Sequence, residues 1–355
     1  MKFNICKNSR RKFRKVAMSV LGMTAIAGLS SCESFYFEEG DCDPKYYVKY
    51  VFDMNMEWAD AFSSQVNSVE LFIFNPENGN LVAHYTENDP KALETPGYLM
   101  PIDVKPGTYD FVAWCGLSNN KENLFSFTES VAHRDQAHLK MARDHEGEKA
   151  FQNKQLNAVF HGKVKASLPD EQGTHVVTVD LIRDTNNITL SMQHISGLEL
   201  TTDMFTVTME EDNGHLNYDN NLIEGEPVEF RPWHVRSGNV DITTKAGENL
   251  NFFMAELSTS RLMKDRDPRI NIVDNTTGTT VYSIPIVRWA CAFRSQQFTD
   301  GSNHKHTITD DQEYLDRENN YNIMLYLDNK DEGGWTAAEI YINSWKVVSQ
   351  GAEVQ

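Results

Sequence analysis

Cysteine is scarce in this chain, with five in 355 residues. Cys6 and Cys32 fall in the N-terminal leader, leaving Cys42, Cys115 and Cys291, an odd and widely spaced set that fits neither a disulfide framework nor a zinc site. Cys115 and Cys291 lie inside the apolar runs FVAWCGL and VRWACAF and are expected as buried free thiols. Cations are outnumbered, 33 Lys and Arg against 51 Asp and Glu, for a formal charge of −18. Seven of those cations precede residue 16, so removing residues 1–31 takes the charge to −25. Such a surface repels phosphate, which argues against nucleic acid as a partner and disfavours binding to anionic membrane surfaces. Catalytic signatures are missing as well. The chain has no Gly-x-Ser-x-Gly elbow, no phosphate loop, no His-Glu-x-x-His and no dinucleotide fingerprint, and neither an enzyme nor a cofactor is expected. No repeat of 20–50 residues appears, which argues against solenoids and propellers.

What is present begins with the leader. Lys2, Lys7, Arg10, Arg11, Lys12, Arg14 and Lys15 precede the apolar run Val16 to Leu29, which is followed by Ser30, Ser31 and Cys32. The run is 14 residues long, short of the roughly 20 that a bilayer-spanning helix needs, so it reads as a cleavable signal. Leu29 fills a peptidase pocket, the two small serines enter its cleft, and the Cys32 thiolate is the nucleophile that accepts a diacylglyceryl group. The expectation is a signal peptide over 1–31 and a lipid-attachment site at Cys32 that ties the mature chain to a membrane. An ordinary secreted protein with a chance cysteine is the alternative. Residues 32–45, with Glu33, Glu38, Glu39 and Asp41, read as an acidic tether.

Beyond the tether the pattern is strand and turn. YYVKYVFDMNM alternates in period two, Asn78-Gly79 separates two apolar runs as in a hairpin, and Pro106-Gly107 precedes a strand with Tyr109, Phe111 and Ala113 on one face. Residues 119–158 break the rhythm and read as an irregular excursion. Pro169 to Gly173 forms a polar break, which places a boundary near 170 and gives domains at 46–170 and 171–355. In the second half, segments split by Asn186-Asn187 and by Asn213-Gly214 continue the strand pattern to YINSW at the end. An all-β protein of two tandem antiparallel sandwiches follows.

Several residues invite a chemical reading and have a plainer one. His304 and His306 lie on one face if extended and could bind a metal, but without a defined third ligand they fit a polar loop. Asp53, Asp60 and Asp316 could act as acids, yet such residues more often cap turns. Glu210, Glu211, Asp212 and Asn213 lack the spacing of a calcium loop. Arg183 and Asn187 fit an edge strand and a turn, and Trp345 with Tyr341 fits the second core.

The segments VFDMNMEWADAF, PGTYDFVAW, FHG at Phe160 to Gly162, DLIRDTNNI, ELSTSRLM, YLDRENNYNI and YINSW, together with Cys32, resemble the fimbrillin-A-associated anchor family over nearly the whole mature chain. The resemblance implies transthyretin-like sandwiches, an outer-membrane lipoprotein at the base of a type V fimbrium, and fimbrial subunits as partners. The acids after Cys32 also resemble signals that send lipoproteins to the cell surface, and they equally fit a solvated linker. Strand addition is the physics expected of such a partner, in which an extended segment of a neighbouring subunit fills an incomplete sandwich. A surface carbohydrate-binding lipoprotein is the competing reading, with Trp335 as its exposed aromatic candidate among Trp58, Trp114, Trp233, Trp289, Trp335 and Trp345.

Overall fold

The computed structural model describes residues 43–117, 123–241, 249–294, 296–329 and 334–349. The leader, Cys6, Cys32, Cys42 and most of the tether lie outside these residues. The chain is all-β, as expected, and its sheets pair into two sandwiches.

The first sandwich sets a three-stranded sheet, ordered Thr174–Asp180, Lys45–Val51, Met100–Ile102, against a five-stranded sheet, ordered Ile182–Arg183, Phe160–Leu168, Gly107–Cys115, Val69–Phe74, Leu81–Glu87. Period-two alternation decides which side chains meet. Val48 and Tyr50 of the smaller sheet share a core with Leu71, Ile73, Phe111 and Ala113 of the larger. The Val, Leu, Ile and Phe side chains among them each contribute about 1.5–3 kcal/mol when fully buried. The Asn78-Gly79 hairpin forms between Val69–Phe74 and Leu81–Glu87, with Gly79 at φ +72° and the His133 ring occupying the space a Cβ would need. Pro106-Gly107 is a corner, because Met100–Ile102 and Gly107–Cys115 belong to different sheets.

The second sandwich faces two six-stranded sheets. One runs His234–Asp241, Asn249–Ser260, Thr185–His194, Asn320–Asn329, Trp335–Ile342, Trp345–Ser349. The other runs Thr280–Pro285, Arg269–Asp274, Phe205–Glu211, Val228–Phe230, Lys149–Gln152, Asp144–Glu146. Ile188, Leu190, Phe253 and Leu325 pack against Val207, Phe230, Ile270 and Ile272.

The structure corrects several sequence expectations. The polar break at 169–173 lies within the first sandwich, because Thr174–Asp180 pairs in parallel with Lys45–Val51 over seven residues. Pairing is mostly antiparallel, but among the described residues three pairs run parallel: this one, Thr185–His194 with Asn320–Asn329, and Lys149–Gln152 with Val228–Phe230. Each joins strands far apart in sequence, where a long crossover makes the parallel sense available. The excursion is ordered. Its strands Phe125–Phe127 and Leu139–Met141 pair with each other, and Phe125, Leu139 and Met141 join one cluster with Phe72, Phe74, Val112 and Trp114 on the outward side of the five-stranded sheet. That cluster continues into the second sandwich, so the strand Gly107–Cys115 is buried on both faces from Asp110 to Cys115. Asn186 and Asn187 lie inside the strand Thr185–His194, near its start, with the Asn187 amide donating to Asn320 Oδ1, and no turn forms there. Asn213-Gly214 is no hairpin either, since His215–Leu216 pairs with Leu139–Met141 rather than with Phe205–Glu211.

Candidate functional site

The chain passes from one sandwich to the other without a linker. Leu181 N–H donates to Val51 O, Ile182–Arg183 pairs with Phe160 and His161, Asp184 N–H donates to Val159 O, and Thr185 already pairs with Ser260 of the second sandwich. Around this crossing the structure gathers a buried polar joint. Asp184 has no exposed surface and accepts from Asn220 Nδ2 at 2.7 Å. Burial pushes its carboxyl up to about 7, against the opposing pull of Arg261. The Arg261 guanidinium meets Asp316 in two parallel hydrogen bonds, Nε to Oδ1 at 2.9 Å and Nη2 to Oδ2 at 2.8 Å, and its Nη1 donates to Asn220 O at 2.6 Å. Gln312 Nε2 also donates to Asp316 Oδ1. Asn213 Nδ2 donates to Thr259 Oγ1 and to the carbonyls of Ser260 and Arg261, while Asn186 Nδ2 reaches Ser260 O. These amides fix the irregular backbone where the strand Asn249–Ser260 ends.

The loop 217–220 extends the joint onto the first sandwich. The buried His161 imidazole lies 3.0 Å from Tyr218 O through Nε2, which sets Nε2 as the protonated nitrogen of a neutral ring. Burial drags its pKa to about 3, so the ring stays neutral. Lys163 pairs with Asp219, and its ammonium lies 4.7 Å from the Tyr218 ring centroid. A second clamp sits on the 53–61 loop. Trp58, at φ +49°, stacks on His306 with centroids 4.2 Å apart and an interplanar angle of 9°. The Arg317 guanidinium lies 4.8 Å from the same indole, and Arg317 Nη1 donates to the carbonyls of Asp53 and Asn55.

These contacts assign most of the singled-out residues. Asp60 Oδ1 accepts from Phe52 and Phe62 N–H and so shapes the loop that presents Trp58, Asp53 contributes its carbonyl, and Asp316 is the partner of Arg261. His304 and His306 both converge on Asp300, whose carboxyl is held down at about 2 by His306 first and then by the His304 and Ser302 N–H groups. Among the described residues no group of three or more His, Cys, Asp or Glu could hold a metal ion. Cys115 and Cys291 are buried free thiols, and burial pushes the latter up to about 12. Two tryptophans exchange roles. Trp335 is half-buried with edge contacts to His194 and Phe205, whereas Trp345 is 43% exposed and stacks on Phe293. The turn Asn343-Ser344, both at positive φ, swings Trp345 to the sheet edge while Ile340 and Ile342 fill the core.

All seven segments singled out in the sequence meet here, through Trp58, Trp114, His161, Asp184, Arg261, Asp316 and Asn343, whose amide binds Glu318. Trp114 packs edge-on to His161 with centroids 4.5 Å apart. Asn213 reads in the sequence only as part of a turn, whereas Tyr218 and Asn220 escaped sequence reasoning. Their signal was a run of turn-forming Asn and Asp at 217–221, which says nothing of its tertiary partners.

Fold and joint define a tandem β-sandwich protein whose buried polar chemistry holds two bodies together. The chain belongs to the family of fimbrillin-A associated anchor proteins Mfa1 and Mfa2, whose sequence model matches residues 38–351. Its fold is shared with a candidate adhesin from Bacteroides thetaiotaomicron, at 27% identity and TM-score 0.73, covering 87% of this chain and 99% of that one. A candidate polysaccharide-binding protein from the same organism matches at 27% identity and TM-score 0.68, covering 86% and 98%. The fimbrial anchor protein Mfa2 from Porphyromonas gingivalis shares the fold at 15% identity and TM-score 0.62, covering 87% and 100%. Among curated proteins, none matches the chain.

Proposed function

We propose that the mature protein is an outer-membrane lipoprotein, acylated at Cys32, that holds the base of a fimbrium and limits its length by accepting an extended segment of a fimbrial subunit at a free sheet edge. The observation that carries this reading is the position of Lys45–Val51. That strand is central in its sheet, hydrogen-bonded to Thr174–Asp180 on one side and Met100–Ile102 on the other, with Val48 and Tyr50 in the core. A strand held this way is not available for donation to another subunit. From Cys32, residues 33–44 span at most roughly 40 Å, so the first sandwich stays close to the leaflet that holds the lipid. The chain then acts as an acceptor on its second sandwich. His234–Asp241 is the fitting edge: eight residues long, exposed from His234 to Arg236, and without a strand on its outer side among the described residues. The two sandwiches interleave in sequence, Thr174–Asp180 completing the first and Lys149–Gln152 joining the second, and they share the polar joint, which suits a base that transmits pull from polymer to membrane.

Replacement Cys32→Ala tests the anchor. Loss of fatty-acid labelling and release of fimbriae into the medium are expected, and labelling that persists, or fimbriae that stay attached at normal length, would contradict it. Crosslinking on intact cells from a photoreactive residue at position 235 tests the edge, with a fimbrial subunit as the expected adduct.

A further inference from the structure

The second sandwich carries a groove that anchoring does not use. It lies on the outward face of the sheet containing Thr185–His194, Asn320–Asn329 and Trp335–Ile342, and has a volume of about 380 Å³. Thr189, Ser191, Asn322, Met324, Tyr326 and Tyr341 line it. The sheet register explains their convergence: Thr189 lies beside Asn322, Ser191 beside Met324, and Met324 beside Tyr341, so alternate residues of three neighbouring strands rise on one side. Tyr326 and Tyr341 meet edge to face, with centroids 6.0 Å apart and planes at 80°, and so form two walls of a corner. Tyr341 is held in place, because its hydroxyl donates to Glu339 Oε2 at 2.8 Å and Glu339 in turn pairs with Lys346.

The chemistry of the lining narrows the occupant. Every strand under the groove is hydrogen-bonded on both sides, so no main-chain edge is offered and a peptide cannot add as a strand. No lining residue is charged, the nearby Lys346 is neutralised by Glu339, and the chain carries −18, which disfavours sulfated, sialylated or phosphorylated ligands. Hydroxyls and an amide across the floor disfavour a wholly apolar guest, which would leave them unpaired. Aromatic faces beside hydroxyl and amide groups match a neutral sugar, whose C–H faces pack on rings while its hydroxyls hydrogen-bond around them. We propose that this groove binds a neutral oligosaccharide, with Tyr326 and Tyr341 as the contact rings and Ser191, Thr189 and Asn322 as hydrogen-bonding partners. The volume sits at the low end of small-molecule sites, which fits a short stretch of sugar rather than a long chain. This site is independent of fimbrial anchoring and stands or falls apart from it.

The test uses the full mature protein, detergent-solubilised, on an array of neutral glucans, galactans, mannans and xylans beside sialylated and sulfated glycans. The best neutral glycan is then titrated by calorimetry against variants. Binding to a neutral glycan is expected, with affinity falling at least tenfold in Tyr326→Ala and in Ser191→Arg, which fills the groove from an outward-facing position without touching the core. Tyr341→Phe keeps the ring and releases it from Glu339, and should weaken binding several-fold; Trp345→Ala should leave it unchanged. Absence of neutral-glycan binding, binding confined to charged glycans, or full affinity in Ser191→Arg would overturn the proposal. If Tyr326→Ala fails to fold by circular dichroism, Ser191→Arg and Tyr341→Phe decide the matter.

Discussion

Arg261 and Asp316 face each other through two parallel hydrogen bonds with only 10% and 11% of their side chains exposed, one on the segment after the strand Asn249–Ser260, the other in the short helix Asp311–Arg317. A planar guanidinium suits this geometry and an ammonium does not. The pair also orders the chain that reaches the first sandwich, because the third guanidinium nitrogen holds Asn220 O, and Asn220 holds Asp184.

Removing one partner leaves the other charge buried and unpaired. Arg261→Ala and Asp316→Ala are each expected to cost about 3–5 kcal/mol in urea unfolding, and the double variant should cost clearly less than the sum. Arg261→Lys should recover only part of the loss. Additive single losses below about 1 kcal/mol would show that the pair is solvated in solution.

The contributions of Asp184 and Glu318 to stability should fall as pH rises through the window between about 4 and 7. His161 opposes them up to about pH 6.5, because burial keeps its ring neutral where the unfolded chain would protonate it. Asp184 and Glu318 are both raised to about 7 by burial, above ordinary values of 3.8 and 4.5. Between those values the folded protein keeps protons that the unfolded chain releases, so stabilisation present at low pH is lost as each folded-state pKa is passed. The Asp184→Asn variant keeps the acceptor for Asn220 and removes the titration. Its melting temperature relative to the parent should therefore be higher at pH 8 than at pH 5. A parallel pH dependence in the two proteins would reject the assignment.

Local pattern was legible, and long-range partnership was not. Lys45–Val51, the Asn78-Gly79 hairpin and the shared face of Tyr109, Phe111 and Ala113 follow from period-two alternation and turn chemistry, which are properties of short segments. The break at 169–173 looked like a boundary because a turn between two strands of one sandwich has the same composition as a linker. Nothing local in Lys149–Gln152 says that it pairs with Val228–Phe230 across the chain. The joint was half legible: its segments carried the family resemblance, but a buried Asn220 reads like any turn asparagine until its neighbours are known.

Gly116 ends the strand Gly107–Cys115 at φ +83°, and a Cβ there would lie 2.0 Å from Ala158 O. The backbone must therefore move in Gly116→Ala, which is expected to destabilise by about 2–4 kcal/mol from the combined conformational strain and overpacking. Gly147→Ala has a positive φ but open space around it, and should cost about 1 kcal/mol. Equal losses in the two variants, measured by thermal unfolding, would place the cost in φ alone and remove the role of the Ala158 carbonyl.

Trp335 and Trp345 differ in what each supports, and single substitutions separate them. Trp335 packs edge-on against Phe205 and His194 beneath the end of the strand Asn320–Asn329, so Trp335→Ala should open a cavity and cost about 2–3 kcal/mol. Trp345 is exposed and contributes chiefly its stacking on Phe293, about 0.5–1.5 kcal/mol. The same difference governs fluorescence. Acrylamide should quench a sizeable share of the tryptophan emission in the parent, less in Trp345→Ala, and an unchanged or larger share in Trp335→Ala, because the quencher reaches only rings at the surface. Strong stability loss in Trp345→Ala, with quenching unaltered, would return that ring to the core and move Trp335 to solvent.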